Sequence, residues 1–330
     1  QRQMCIRDSD GNVLGFDSVP QPTYKDKDLR KAVALEKAKA QDETEVFAND
    51  SKKKIYMHWM YDVPMGEQLD DDGDSLESIE GCLTDAQYNR DEHRKAVIDD
   101  ILDNWVSQSH NGKFHAILAT SSIPEAIKYY KLFAQRDCGL KTTAVFDPSD
   151  GNNESSIEKI DGIAQMLEDY NSLFGTCFNI SGYASFKRDV CARLAHKTPY
   201  TAVENEPSKC LDILIVVDQM LTGYDSKWLN TLYMDKFYKW SNIEMIIQAF
   251  SRTNRVFNDD KPHGIIRYYR RPYTMKNIIE YAFEQYSGQK PYGIFVAKLI
   301  QNLENMNAAF SDINDIFKIA GIPDFFKTSR

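Results

Sequence analysis

Two arginines three residues apart, Arg252 and Arg255, follow Gln248 in the string Gln248-Ala-Phe-Ser-Arg252-Thr-Asn-Arg255. Guanidinium groups are planar, always charged and bidentate. Such a pair suits a phosphoryl group whose negative charge grows in a transition state. If the helix expected over Ile243 to Ser251 continues, both arginines lie on one face. Taken alone, an R-x-x-R pair describes two surface arginines better than a phosphate clamp. A second segment, Thr222-Gly223-Tyr224-Asp225, follows an apolar run. Gly223 lets the backbone approach a ligand closely, and Asp225 can accept hydrogen bonds from sugar hydroxyls. Gly and Asp also make ordinary turns. A third segment, Ser121-Ser122, precedes Pro124 at an expected helix start. Its hydroxyls and backbone amides can hold a phosphate, although a plain helix cap is the simpler description.

These residues need a scaffold, and the hydrophobic pattern supplies one. Phe114 to Ala119, Thr142 to Phe146, Leu211 to Val217, Thr231 to Met234 and Gly264 to Tyr269 are apolar runs of strand length. Helical spacing appears in Val97, Ile98, Ile101, Leu102 and Trp105. It recurs in Ile127, Tyr130 and Phe133, in Ile157, Ile160, Ala164 and Leu167, and in Phe186, Val190 and Leu194. Asp147 to Glu154 reads as a polar turn region. Strands alternating with helices predict a three-layer α/β domain with a mainly parallel sheet. All three chemical segments are then expected just past the carboxyl ends of strands, where such sheets hold ligands.

The predicted organisation is a connector over 10–92, the α/β domain over 93–274 and the start of a helical region over 275–330. The connector is polar, with one helix around Leu29 to Ala40. Asp70, Asp71, Asp72 and Asp74 around Gly73 read as a solvated loop, because the bidentate Glu of a calcium loop is missing. Residues 1–9 fit no local pattern and are expected to be non-native, so that the chain begins inside a longer protein.

Composition narrows the function classes. The 330 residues are 42% hydrophobic and 27% charged, with a net charge of -9. A small DNA-binding module is usually basic, so any DNA contact here is expected to be local. Six irregularly spaced cysteines without a C-x-x-C pair exclude a zinc ribbon and predict buried free thiols in a reducing compartment. No apolar run approaches the ~20 residues that span a bilayer. The expected location is the cytoplasm.

In combination the motifs say more. Q-x-x-x-R-x-x-R after a V-V-D…T-G-x-D strand and turn resembles motifs VI and V of superfamily 2 helicases, and Phe114 to Pro124 is similar to motif IV. The strings LIVVDQMLTGYDSKWLNTLYMDK, IIQAFSRTNRVF, DEHRKAVIDDILDNW, RDVCARLAHK and GIIRYYRRPYTM resemble the motor (R) subunit of type I restriction-modification enzymes, over roughly residues 10 to 330. The resemblance implies a RecA-like second helicase lobe. In it Arg252 and Arg255, led by Gln248, act on the γ-phosphate of ATP, and Gly223 and Asp225 contact and couple the nucleotide. Ser121 and Ser122 touch the DNA backbone. Val217 stands where many relatives have a phosphate-contacting Thr, a role that Thr222 then takes.

The resemblance further implies ATP and Mg²⁺ as cofactors, held mainly by a first lobe. The implied partners are double-stranded DNA and the modification (methyltransferase) and specificity subunits, with no membrane. No G-x-x-x-x-G-K-[ST] loop, D-E-x-H box or carboxylate-lysine nuclease core is present, so this chain alone is expected to be inactive. Competing readings are another superfamily 2 helicase or remodeller, and a non-catalytic α/β nucleic-acid-binding scaffold.

Overall fold

The computed structural model describes residues 15–136, 138–146, 156–217 and 224–287, together with residues 310 and 313. In chain order the strands are β1 (Phe16–Pro20), β2 (His115–Thr120), β3 (Thr142–Val145), β4 (Ile213–Val216), β5 (Leu229–Asp235) and β6 (Gly264–Tyr268). The helices are α1 (Asp26–Lys37), α2 (Glu43–Phe47), α3 (Asp50–Met57), α4 (Asp85–Tyr88) and α5 (Asp91–Gln108). They continue with α6 (Ile123–Gln135), α7 (Ser156–Phe174), α8 (Tyr183–Leu194), α9 (Ile243–Phe250) and α10 (Pro272–Ser287).

The six strands form one all-parallel sheet in the order β1-β6-β5-β2-β4-β3. β2, β4 and β5 are buried along their whole length, as apolar runs must be when helices cover both faces. The chain leaves β2 through α6 in one direction along the sheet. It returns from β3 to β4, β5 and β6 in the other. Right-handed crossovers put α6 and α9 on opposite faces; α5 packs with α6, and α10 with α9. The expected three-layer α/β architecture is the observed one.

The connector and the boundary near 274 differ from the sequence reading. The stretch read as a connector contributes β1, which pairs with β6 from Phe16↔Gly264 to Pro20↔Tyr268. Only Phe16 of this strand is fully buried, so it lacks the apolar run that marks the central strands. The same stretch builds a second small core from Val33, Ala34, Val46, Tyr56, Trp59, Val63 and Ile79. That core docks through Glu80, fully buried, which accepts from Tyr24 Oη at 2.5 Å, Thr274 Oγ1 at 2.6 Å and the amides of Tyr273 and Thr274. Burial raises the Glu80 pKa, against the pull of these donors. Gly66 completes the joint, since a Cβ there would lie 2.5 Å from the Tyr273 carbonyl carbon.

The boundary expected near 274 is crossed by α10, which packs on β1 and α9. Most of 275–330 beyond it lies outside the described residues, as do Asp147 to Glu154 and residues 1–9. The buried face of α7 is Ile163, Met166, Leu167 and Tyr170. Ile160, expected inside, is 50% exposed, because the helix presents a face rotated from the one its first apolar residues suggest. Among the described cysteines Cys82, Cys138, Cys191 and Cys210 are half-buried and Cys177 is exposed, so the expected full burial does not hold. The acidic run is an exposed turn in which Asp70 Oδ1 accepts from the amides of Asp72 and Asp74, with Gly73 at φ +87.

Candidate functional site

In a parallel sheet every strand begins at one edge and ends at the other. α9 starts at the carboxyl edge, after β5, and carries the chain back to the amino edge, where β6 begins. Arg252 and Arg255 therefore lie at the amino edge. Asp225 lies there too, four residues before Leu229 opens β5. The sequence expectation put these segments past the carboxyl ends. That holds for Ser121 and Ser122 and fails for Arg252, Arg255 and Asp225, because a crossing helix reverses the edge. Strands of five residues (β6) and seven (β5) separate the two edges by roughly 15–20 Å.

The arginines are not on one helical face. α9 ends at Phe250. Ser251 Oγ and Thr253 Oγ1 then donate to the carbonyls of Gln248 and Phe250, which competes with helix continuation. The turn holds Arg252 Nε 3.2 Å from the Gln248 carbonyl and Arg252 Nη1 3.1 Å from the Tyr224 carbonyl. Burial lowers the Arg252 pKa, the positive charge of Arg255 adds to this, and Asp225 opposes it. Arg255 Nε meets Asp225 Oδ1 at 2.7 Å, with side chains 42% and 59% exposed. An exposed pair of this kind contributes ~0–1 kcal/mol, so a phosphate can displace the carboxylate at little cost. Tyr224 is anchored below, its Oη 3.1 Å from His115 Nε2, and burial holds His115 well below its ordinary pKa.

The arrangement thus brings together Gln248 (through its carbonyl), Arg252, Arg255 and Asp225. Thr222 and Gly223 lie outside the described residues. Two neighbours escaped the sequence reading. Lys261 is buried, with Nζ donating to the carbonyls of Leu229 at 2.7 Å and Lys227 at 3.1 Å. Burial first, then Arg255, lowers its pKa to about 7, against the pull of Asp225. Asn254, between the two arginines, is 1% exposed, and neither side-chain amide atom has a hydrogen-bond partner. The string Asn258-Asp259-Asp260-Lys261 reads as solvated, so no sequence signal marked the lysine.

At the carboxyl edge Thr120 Oγ1 donates to the Val216 carbonyl at 3.1 Å, tying the end of β2 to that of β4. Ser122 Oγ accepts from the Glu125 amide at 3.4 Å and caps α6. Glu125 is gripped by Arg94 through two bonds of 2.7 Å. A groove of about 790 Å³ along α7, lined in part by Leu167, Asn171 and Phe178, contains none of the candidate residues. Among the described residues no group of three or more His, Cys, Asp or Glu side chains could hold a metal ion.

Residues 112–271 match the family model described as type I restriction enzyme subunit R domain 3. Over these residues the chain is similar to that domain. A type I restriction enzyme endonuclease subunit from Staphylococcus saprophyticus is 32% identical over 213 residues, which cover 62% of this chain and 22% of the relative. One from Staphylococcus aureus is 31% identical over 200 residues, covering 58% of this chain and 20% of the relative. The chain thus spans about a fifth of the length of these relatives. Among solved structures, the C-terminal part of the Fun30 ATPase domain aligns with a TM-score of 0.29 at 12% identity, over 76% of this chain and 62% of that one. No helix among the described residues is long and apolar enough to cross a membrane.

Proposed function

We propose that the chain forms the second motor lobe of an ATP-driven DNA translocase, within the R subunit of a type I restriction enzyme. The observation that carries this reading is the convergence of Arg252, Arg255 and Asp225 at the amino edge of the sheet. The proposed lobe is 93–274, supplemented by β1 and α10, with 10–92 linking it to a first lobe and 275–330 opening a helical region.

The residues present fit part of a nucleotide site. Arg252 and Arg255 offer a fork for the outer phosphate of ATP, Asp225 lies beside Arg255, and Gly223 is assigned to the same nucleotide. The described residues include no carboxylate cluster for Mg²⁺, so the phosphate cradle and the metal are assigned to the first lobe. ATP supplies the free energy. On closure of the cleft Arg255 exchanges its carboxylate partner for phosphate and stabilises charge in the transition state. Ser121, Ser122 and Thr222 are assigned to the DNA backbone, contacts that position the motor without reading sequence. The partners are duplex DNA and the modification and specificity subunits, in the cytoplasm. The relatives' names as endonuclease subunits support the assignment to a restriction complex.

The test is Arg252→Ala and Arg255→Ala in the full-length subunit. Steady-state phosphate release should fall by roughly 10³ to 10⁵ while ATP binding persists. Arg→Lys should also fail, because a point charge does not reproduce the fork. Near-normal turnover in both alanine variants returns the arginines to a surface role.

A further inference from the structure

Arg252 takes its aim from two carbonyls on different elements. Its Nε lies 3.2 Å from the Gln248 carbonyl on α9, and its Nη1 lies 3.1 Å from the Tyr224 carbonyl on the segment that leads into β5. Two bonds to one planar guanidinium fix the orientation of its plane. The helix sets the first carbonyl. The second goes wherever Tyr224 is held, and Tyr224 is held by a side chain from the centre of the sheet.

That side chain is His115, which opens β2, the strand between β5 and β4. The two rings are buried and meet edge to face, 6.1 Å apart with planes at 60°. Tyr224 Oη lies 3.1 Å from His115 Nε2. Burial pushes the Tyr224 pKa up, against the pull of the Ser226 hydroxyl. Burial, helped by the charges of His196 and Lys261, holds the His115 pKa well below its ordinary value. Both groups are therefore neutral at neutral pH, and the contact is a hydrogen bond between uncharged partners.

The backbone of the same histidine grips the segment again, its amide donating to the Trp228 carbonyl at 3.1 Å. Between and beyond these points Ser226 Oγ donates to the Leu194 carbonyl, and Lys261 Nζ to those of Lys227 and Leu229. Those bonds set the path into β5, and the His115 ring supports its leading end. Asp225, the next residue, is the partner of Arg255. Both arginines are thus received by the segment that His115 props.

We propose that Tyr224 and His115 are positioning residues, whose buried pair holds the Tyr224 carbonyl where it aims the Arg252 guanidinium at the outer phosphate of ATP. This rests on the nucleotide-site reading above and names the residues behind the arginine. A misplacement of about 1 Å in a group that acts in the transition state can cost up to about a hundredfold in rate. The cost falls on turnover and spares substrate binding.

The experiment measures kcat and KM for ATP in DNA-dependent hydrolysis by the full-length subunit, with urea midpoints alongside. It compares wild type, Tyr224→Phe, His115→Leu, the double variant, His115→Gln and Arg252→Ala. Tyr224→Phe and His115→Leu should each lower kcat by about tenfold or more, with KM within about twofold. His115→Gln keeps a polar partner for the hydroxyl and should recover most of the rate. Each single apolar variant leaves one buried partner unpaired, whereas the double variant removes both and regains stability. A bond that only stabilises the fold lets the rate of the double variant recover with its urea midpoint. A positioning pair leaves the double variant as slow as the singles. Recovery of the double variant overturns the proposal, and so does wild-type kcat in Tyr224→Phe while Arg252→Ala is inactive. Wild-type turnover in Arg252→Ala removes the nucleotide-site reading itself, and the positioning role with it.

Discussion

Lys261 places its amine where water barely reaches, at 1% exposure. Its folded pKa is lowered from the ordinary 10.5 to about 7, chiefly by burial. Below pH 7 both folded and unfolded chains carry the proton, and the full burial penalty opposes folding. Between about 7 and 10.5 only the unfolded chain binds it, so this group makes stability rise with pH by up to ~1.4 kcal/mol per unit. We expect urea midpoints of the chain to rise from pH 7 to pH 9 more steeply than those of Lys261→Met. Parallel pH dependences would mean that the ammonium is solvated. The lysine matters to the site because its two carbonyl contacts hold the segment between Asp225 and β5. Nothing local in the sequence identifies it, since those carbonyls lie more than thirty residues upstream.

The elements meet most tightly at the end of β5. Asp235 accepts from Tyr129 Oη of α6 at 2.9 Å and from Arg270 after β6 at 3.0 Å, and lies 2.7 Å from His93 Nε2 of α5. Burial alone would raise its pKa, but His93 and Arg270 bring it down to about 2. The stability it contributes is present above the ordinary carboxylate pKa near 4 and is lost as pH falls toward 2. Asp235→Asn would leave the Arg270 guanidinium buried opposite a neutral amide. We expect a loss of ~3–5 kcal/mol, read by denaturant unfolding at neutral pH. A loss under ~1 kcal/mol would show that Arg270 finds water instead. The strands themselves were readable because buried parallel strands are apolar throughout, as in Ile213 to Val216. The edge strand β1, with one buried residue, was not. The end of α9 was missed for a different reason: Ser251 and Thr253 redirect the backbone through hydroxyl bonds that hydrophobic periodicity does not register.

At the scale of the molecule, the candidate residues divide between the two ends of the sheet. Arg252, Arg255 and Asp225 occupy the amino edge, and Ser121 and Ser122 the carboxyl edge. On the proposed function, the nucleotide is met at one end and DNA at the other, so cleft closure at the first would move the grip at the second. The chain has arginines but no phosphate loop. We therefore expect the purified 330-residue chain, given Mg²⁺, ATP and DNA, to release no phosphate above a buffer control. Turnover that followed the protein through purification would contradict a site shared between lobes.

The sequence by itself determined the α/β class, the central strands and the residue types available to a phosphate. Apolar runs and motif order are properties of contiguous residues. The tertiary structure decided which edge each motif occupies, because that depends on whether a crossing helix intervenes between strand and motif. It also decided that Phe16 to Pro20 belongs to the sheet, that Arg255 rests on Asp225, and that Thr120 pairs with Asp235. These are pairings between residues 30 to 250 positions apart. Chain connectivity and burial select them, and no local spacing encodes them.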